Sequence, residues 1–344
     1  MSPFFDSSQY LQTLDHPVIT MDSHTEGEIT RLVLDGTGRI PGATMTEKLD
    51  FFKSRWDGIR CLLTREPRGS REVLAAAVTE PVSPGASFGL IYMDAKRYPY
   101  LCGHATIGAV VSLAHTGFLK LGPGENRILI DTPSGPMEAR AHVSHGKVTS
   151  VEIDMIPSFV FATQKEIRVE GVGTIPVDLV CTGGFFAMVN TESLGLEPVM
   201  ENRATLVDLG MKIIAAANDQ LEVSHPVRPE VNTVDVTEFY DTGQGALSGR
   251  GMVVYGESHM DRSPCGTGTA AKLALLYHYG KIGMDQPYIN SSPLGTQFEA
   301  RLVKKTKIGN MDGLVARIKG RAWITGIHHF TLERTDPFQE GYMI

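Results

Sequence analysis

Two cysteines of this chain stand in the same chemical setting. The stretch DRSPCGTGTAAKLALLYHYG, Asp261 to Gly280, passes from a charged pair and a proline through Cys265 and the small residues Gly266, Thr267, Gly268 and Thr269. Apolar residues at helical spacing follow: Ala270, Leu273, Ala274, Leu276 and Tyr277. LCGHATIGAVVSLAHTG, Leu101 to Gly117, repeats the design around Cys102. Aligned on sulfur, both read Cys-Gly-x-x-Thr: Cys102, Gly103 and Thr106 against Cys265, Gly266 and Thr269. Each spacing predicts a cysteine at or just before the first turn of a helix. Unpaired backbone N–H groups and the positive end of the helix dipole are then expected to stabilise a thiolate and lower the thiol pKa.

The cysteines lie 163 residues apart, close to half the chain. Two halves, each offering one helix-capped cysteine, could place two sulfurs on opposite sides of a cleft. One thiolate would then take a proton from one face of a carbon while the opposing thiol delivers a proton to the other face, inverting the configuration. The same helix N-termini would bind a substrate carboxylate, and fixed donors there strengthen as a carbanion develops next to it. This chemistry points to a racemase or epimerase of a small amino or hydroxy acid.

Composition narrows the alternatives. A chain of 344 residues, 42% hydrophobic and 21% charged, can bury a large core and is long enough for two domains. A net charge of −7 without a basic run argues against nucleic acid and anionic membranes as partners. No apolar run reaches the roughly 18–20 residues that cross a bilayer. MSPFFDSSQYLQTLD lacks the basic and apolar regions of a secretory signal, so a cytoplasmic location is expected. The four cysteines have neither the density of a disulfide scaffold nor the close pairs of a zinc site. Cys61 and Cys181 follow strand-like apolar residues and are assigned to the core.

The elements that must position Cys102 and Cys265 read as two similar series. Residues 1–15 are expected to be a loosely attached leader. His16 to Gly36 reads as strand, polar turn (DSHTEGE) and strand, Met45 to Trp56 as a weak helix, and Ile59 to Gly69 as a strand. Strands at 73–78 and 89–93 precede a helix from His104 to about Thr116, with short strands at 127–132, 137–143 and 147–156 after it. The pattern restarts with strands at 165–169, 173–180 and 185–190, a helix at 204–217, and strands at 231–239 and 252–256 flanking the glycine-rich DTGQGALSGRG. The helix after Cys265 and strands at 297–303, 313–318 and 321–332 complete it. This order predicts, in each half, a curved sheet wrapped around a central helix. It does not suit a doubly wound parallel sheet.

No dinucleotide fingerprint, P-loop, GxSxG or HExxH is present, and no cofactor is indicated. Asp22, His24, Glu26 and Glu28 could pass for a metal site, but no second ligand group has matching spacing, and a hydrogen-bonded turn is the expected role. No metal is expected. His225, before a proline, is placed on the surface rather than in a pocket. His328 and His329, adjacent on a strand, face opposite ways. Arg262 is expected to fix its loop, and Leu273, Leu276 and Tyr277 to be core.

These residues carry a resemblance. The chain resembles the proline racemase family, with its 4-hydroxyproline 2-epimerases and trans-3-hydroxyproline dehydratases, over about residues 17–344. The matching stretches are MDSHTEGE (21–28), EPRG (66–69), YLCGHATIGA (100–109), GGFFA (183–187), DRSPCGTGT (261–269) and HHFTLERTDPFQEGY (328–342). The resemblance implies an α/β (α+β) fold similar to diaminopimelate epimerase: two pseudo-symmetric domains, each a barrel-like sheet around a central helix, with the active site between them. The expected halves are 17–160, carrying Cys102 and covered by a tail at about 336–344, and 161–335, carrying Cys265. It further implies Cys102 and Cys265 as the acid/base pair. Gly103, His104, Gly266 and Thr267 would contact the substrate carboxylate and ring, and Asp261 its ring ammonium. Cysteine at both positions favours racemisation or epimerisation over dehydration, and GGFFA is closer to the proline racemases. The implied protein is a cofactor-independent homodimer acting on proline or hydroxyproline. A 3-hydroxyproline dehydratase and a non-catalytic binding protein are the competing readings.

Overall fold

The computed structural model of the protein describes residues 17–243, 247–256 and 258–344. The expected leader and the middle of the glycine-rich 241–251 stretch lie outside them. The first half contains β1 (Val18–Thr25), β2 (Glu28–Asp35), α1 (Met45–Arg55), α2 (Asp57–Thr64), β3 (Leu74–Thr79) and β4 (Phe88–Met93). Then come α3 (Gly103–His115), β5 (Gly124–Thr132), β6 (Gly135–Ser144) and β7 (Lys147–Asp154). The second half begins with β8 (Phe159–Val169), β9 (Gly173–Thr182), β10 (Gly184–Asn190), α4 (Arg203–Gln220), β11 (Val234–Tyr240), β12 (Ser248–Tyr255) and β13 (His259–Met260). It ends with α5 (Gly266–His278), β14 (Tyr288–Ser291), β15 (Gln297–Ile308), β16 (Met311–Gly320) and β17 (Ala322–Phe330).

Strand pairing runs β17–β1–β2–β3–β4–β5–β6–β7–β16 and continues β16–β15–β14–β12–β11–β10–β9–β8. A bridge between Ser158 and Leu314 brings the start of β8 back to β16, which also leads straight into β17. Both runs therefore curl on themselves and share β16. Helix α3 packs against β1, β2, β3, β7 and β17, and α5 against β8, β9, β10, β12, β15 and β16. Both helices are apolar on nearly all sides, the pattern of a helix enclosed by a sheet. Gly108 lets α3 approach the sheet: a Cβ there would lie 2.9 Å from Ser23 Oγ and 3.0 Å from Thr30 Oγ1.

Three sequence expectations are corrected. Ile59–Gly69 is mostly helical (α2), because Asp57 and Arg60 pair one turn apart at 2.7 Å while Leu62 and Leu63 face the core. A short apolar run such as IRCLL fits either period, and here tertiary packing selects the helix. The DSHTEGE stretch is not a long turn. Strands β1 and β2 run through it, reversing only at Glu26–Gly27, and Asp22 sits opposite Arg31 with a 2.9 Å ion pair. His24 stacks on Trp323, Glu26 pairs with Arg321 and Glu28 with Arg262, so the four polar residues point to different partners. His225 is buried and edge-on to Phe159 rather than on the surface. Strand β17, assigned by sequence to the second half, pairs along the whole of β1. The tail reaches the first half through paired backbone hydrogen bonds between Glu66 and Tyr342 and an ion pair between Arg68 and Asp336.

A second tie joins the halves near the cysteines. Arg262 donates from its backbone N–H to Glu28 Oε2 at 2.8 Å and grips both Glu28 oxygens at 3.1–3.2 Å through its guanidinium. It also reaches Glu72 at 3.2 Å. The Glu28 side chain is almost wholly buried, so removing the arginine would strand a charge. Arg262→Met is expected to destabilise the protein by about 2–4 kcal/mol, and Glu28→Gln in the same chain to recover at least about 1 kcal/mol of that loss. Urea unfolding of the wild type, the two single variants and the double variant measures the coupling; purely additive losses would mean that the clamp carries none.

Candidate active site

The N-terminal ends of α3 and α5 converge. Cys102 is the residue capping α3 and Cys265 the residue capping α5. Behind them, one buried side chain touches both corners. A Cβ on Gly103 would lie 3.5 Å from Met155 Sδ, and a Cβ on Gly266 would lie 3.3 Å from Met155 Cε and 3.5 Å from Sδ. Both helix starts thus lie within contact distance of the same thioether. Above Met155 opens a cleft of about 200 Å³. Cys102, Gly103, His104, Asp261, Cys265, Gly266 and Thr267, all singled out from the sequence, line it together.

The two cysteines differ in backbone. Cys102 is extended, at φ −145°. Cys265 is held at φ 58° and ψ 117°, a region that costs a non-glycine residue about 1–3 kcal/mol. Its sulfur accepts from Gly268 N at 3.4 Å and lies 3.4 Å from Thr267 Oγ1. Its own N–H donates to Ser263 Oγ at 3.1 Å, which in turn donates to Asp261 Oδ1 at 2.7 Å. Cys102 Sγ lies 3.3 Å from His104 Nδ1 and 3.7 Å from Nε2, and faces the His104 and Ala105 amides without closing a cap hydrogen bond. The His104 carbonyl accepts from Thr25 Oγ1 at 2.8 Å, which fixes the first turn of α3 to β1.

The electrostatics reverse one expectation. Neither thiol is acidified: both are held above the usual thiol range. Burial is the main cause in each. The Asp261 charge adds to it at both sulfurs, with Glu28 acting on Cys102 and Glu238 on Cys265. The helix amides at Ala105 and His104, and at Gly268 together with the Thr267 hydroxyl, pull the other way and are outweighed. A half-charge at a helix end is worth about 0.3–1 kcal/mol at a surface, less than the cost of ionising a buried group beside a carboxylate. Burial likewise lowers His104, leaving a neutral imidazole. Asp261 is raised to about 7, by burial first and by Glu28 second, against the stabilising hydrogen bonds from Ser263.

Sequence reasoning did not assign several other lining residues. Glu28 enters from the β1–β2 hairpin, Leu74 from β3, Val236 from β11, Val253 and Tyr255 from β12, and His259 from β13. Phe186 supplies the GGFFA segment's contribution to the wall, while Phe185 is buried in the apolar cluster that includes Leu206, Leu209 and Ile213 of α4. The cleft is lined both by apolar residues (Leu74, Phe186, Val236, Val253) and by polar ones (Glu28, His104, Tyr255, His259, Asp261). Among the described residues, no group of three or more His, Cys, Asp or Glu side chains could hold a metal ion, and no helix is long and apolar enough to cross a membrane.

Comparison with known proteins places this geometry. The profile of the family described as "Proline racemase" matches residues 20–343. The proline racemase of Clostridioides difficile is 35% identical over 325 residues, covering 94% of this chain and 97% of that protein. The 4-hydroxyproline 2-epimerase of Streptosporangium roseum is 36% identical, with the same coverage. The trans-L-3-hydroxyproline dehydratase of Saccoglossus kowalevskii is 31% identical over 93% of this chain and 99% of its own length. Among solved structures, a hydroxyproline epimerase from Agrobacterium vitis with bound trans-4-hydroxy-L-proline superposes with a TM-score of 0.87 at 28% identity, covering 96% of each chain. A PhzF-family phenazine biosynthesis protein from Bacillus anthracis superposes at 0.58 with 15% identity over 92% of this chain, a likeness of fold alone. The chain belongs to the proline racemase family.

Proposed function

We propose that the protein is a cofactor-independent amino-acid racemase or 2-epimerase acting on proline or hydroxyproline. The observation that carries the reading is that two helix-capping cysteines, one from each half, line the same small cleft. The activities named for the relatives from C. difficile and S. roseum support it.

The chemistry follows from the groups present. The secondary ammonium of the substrate pairs with Asp261, and its carboxylate takes hydrogen bonds from the N–H groups at Gly103–His104 and Gly266–Thr267. Pairing Asp261 with a cation offsets the largest charge that opposes ionisation of Cys265. One cysteine, as thiolate, takes the α-proton. The electron pair left on the α-carbon spreads into the carboxylate, where the helix amides stabilise it, and the opposing thiol gives its proton to the other face. The enzyme ends each passage with thiol and thiolate exchanged, so atoms and charge balance.

Incubation with L-proline, trans-4-hydroxy-L-proline and trans-3-hydroxy-L-proline in D₂O tests the reading. The expected result is deuterium at the α-carbon with inverted configuration for proline or the 4-hydroxy compound. Cys102→Ser and Cys265→Ser should each lower inversion by about 10²–10⁴-fold. Full inversion by either variant would overturn the two-base mechanism. Loss of water from the 3-hydroxy compound without α-exchange in the others would favour a dehydratase, and binding without exchange would favour a non-catalytic protein.

The charge state of Asp261 sets a pH dependence. A protonated Asp261 cannot pair with the ammonium, so kcat/KM should climb as pH rises through the raised carboxyl value of about 7. Rate profiles between about pH 6 and 8 should show that rise in the wild type, and Asp261→Asn should lower kcat/KM and flatten the profile in this window. A parallel profile in the variant would remove Asp261 from the binding step.

A further inference from the structure

The strained Cys265 backbone is held from behind by groups that do not reach the cleft. The carbonyl of Pro264, just before Cys265, accepts two hydrogen bonds: from Thr269 Oγ1 at 3.0 Å and from Asn290 Nδ2 at 3.0 Å. Asn290 Nδ2 also donates to Thr269 Oγ1 at 2.8 Å. Its Oδ1 accepts from Lys272 Nζ at 3.0 Å, and the same ammonium donates to the Arg250 carbonyl at 2.8 Å. Asn290 and Lys272 have no exposed surface, and neither lines the cleft.

A third group completes this buried set. Glu238 is fully buried, and neither carboxyl oxygen has a hydrogen-bond partner among the described residues. It closes against Gly251 and Gly268, where a Cβ would lie 2.9 Å from Oε1 and 2.8 Å from Oε2. The Cβ added to Gly268 would also meet Cys265 Cβ at 3.3 Å, so Glu238 sits directly behind the cysteine corner. The Lys272 cation offsets its charge. Such polar groups inside an apolar helix–sheet layer are expensive compared with hydrocarbon of equal volume, so stability alone does not account for them.

The other half shows what is special here. Thr106 Oγ1 donates to the Cys102 carbonyl at 2.8 Å and is met by the Tyr92 hydroxyl at 2.6 Å. Thus the threonine of each Cys-Gly-x-x-Thr motif binds a backbone carbonyl at the helix start and is itself held by a buried side chain. At Cys102 that carbonyl belongs to the relaxed cysteine. At Cys265 it belongs to the preceding peptide, whose plane determines the cysteine's φ, and there a side-chain amide and a lysine are added.

We propose that Asn290, anchored by Lys272, is the positioning residue for Cys265: by holding the Pro264 carbonyl it keeps the cysteine in its left-handed conformation, with sulfur on the Gly268 amide and directed into the cleft. Its importance for turnover rests on the proposed role of Cys265 in proton transfer, whereas its effect on the thiol can be read without substrate.

Asn290→Asp and Asn290→Leu are near-isosteric and share the loss of the Nδ2 donor. The alkylation rates of Cys265 and Cys102 by iodoacetamide are compared within each folded protein by peptide mass mapping, and kcat and KM are measured on L-proline and trans-4-hydroxy-L-proline. In both variants the Cys265 rate should fall by at least ~5-fold relative to Cys102, as the sulfur leaves the Gly268 amide. The kcat should fall by at least ~10-fold with KM within ~3-fold, because geometry rather than binding is lost. Unchanged Cys265 reactivity, or equal changes at both cysteines, would overturn the proposal. A selective Cys265 change in a protein whose wild type turns over neither substrate would support the positioning role and count against the proposed function instead.

Discussion

Two helices that point their N-termini at one another bring together two positive dipole ends, and much of the structure around the cleft answers that constraint. Left alone, the ends would repel and attract water or anions. Here they close on Met155, whose backbone N–H donates to the Ala316 carbonyl of β16, and on an acidic fringe of Glu28, Asp261 and Glu238. Arg262 spans the gap between the halves and neutralises part of that fringe through Glu28 and Glu72. The proposed substrate, a small zwitterion, would suit such a place, its anion at the helix amides and its cation at Asp261.

The same constraint explains why the thiols behave differently from a single helix-capped cysteine. A lone cysteine at an exposed helix start ionises more readily because the dipole is the only strong influence on it. In this cleft Cys265 is buried and Cys102 half-buried, desolvation and Asp261 act on both thiols, and these influences exceed the dipole's. Both thiols are therefore held toward the protonated form, and in the proposed reaction a substrate cation at Asp261 would relieve part of that bias.

The paired cysteines and the enclosed helices were legible in the sequence because each depends on local pattern, whereas Gly103, His104, Asp261, Gly266 and Thr267 were expected at the cleft only through the family resemblance. A cysteine before glycine and an apolar helix can be read within twenty residues. What escaped depends on register and distance. Strand β14 was missed because a tyrosine, an isoleucine, an asparagine and a serine after a proline make no periodic pattern, yet it delivers Asn290 behind Cys265. Met155 looks like any residue ending an apolar strand until two glycines from distant segments meet it. Lys272 left a readable trace, as the one charge inside the apolar run of α5, and that incongruity is the kind of signal a buried polar partner leaves. The helix at Asp57–Thr64 was misread because a short apolar run carries no usable period.

The pairing of β17 with β1 has a consequence for how the protein is made. Val18 finds its backbone partner in Phe330, more than three hundred residues later. During synthesis, the earliest strand leaves the ribosome with one open edge that nothing nearby in sequence can fill. Cys102 and its helix can be wrapped on most sides, but the ring around them closes only when almost the whole polypeptide has emerged. Closure of the ring therefore waits for the C-terminal strand, and the long loop it spans makes that step slow relative to the local hairpins β5–β6 and β15–β16. A ribosome stalled anywhere before β17 would hold a half-built first barrel whose exposed edge is competent to pair with a stranger.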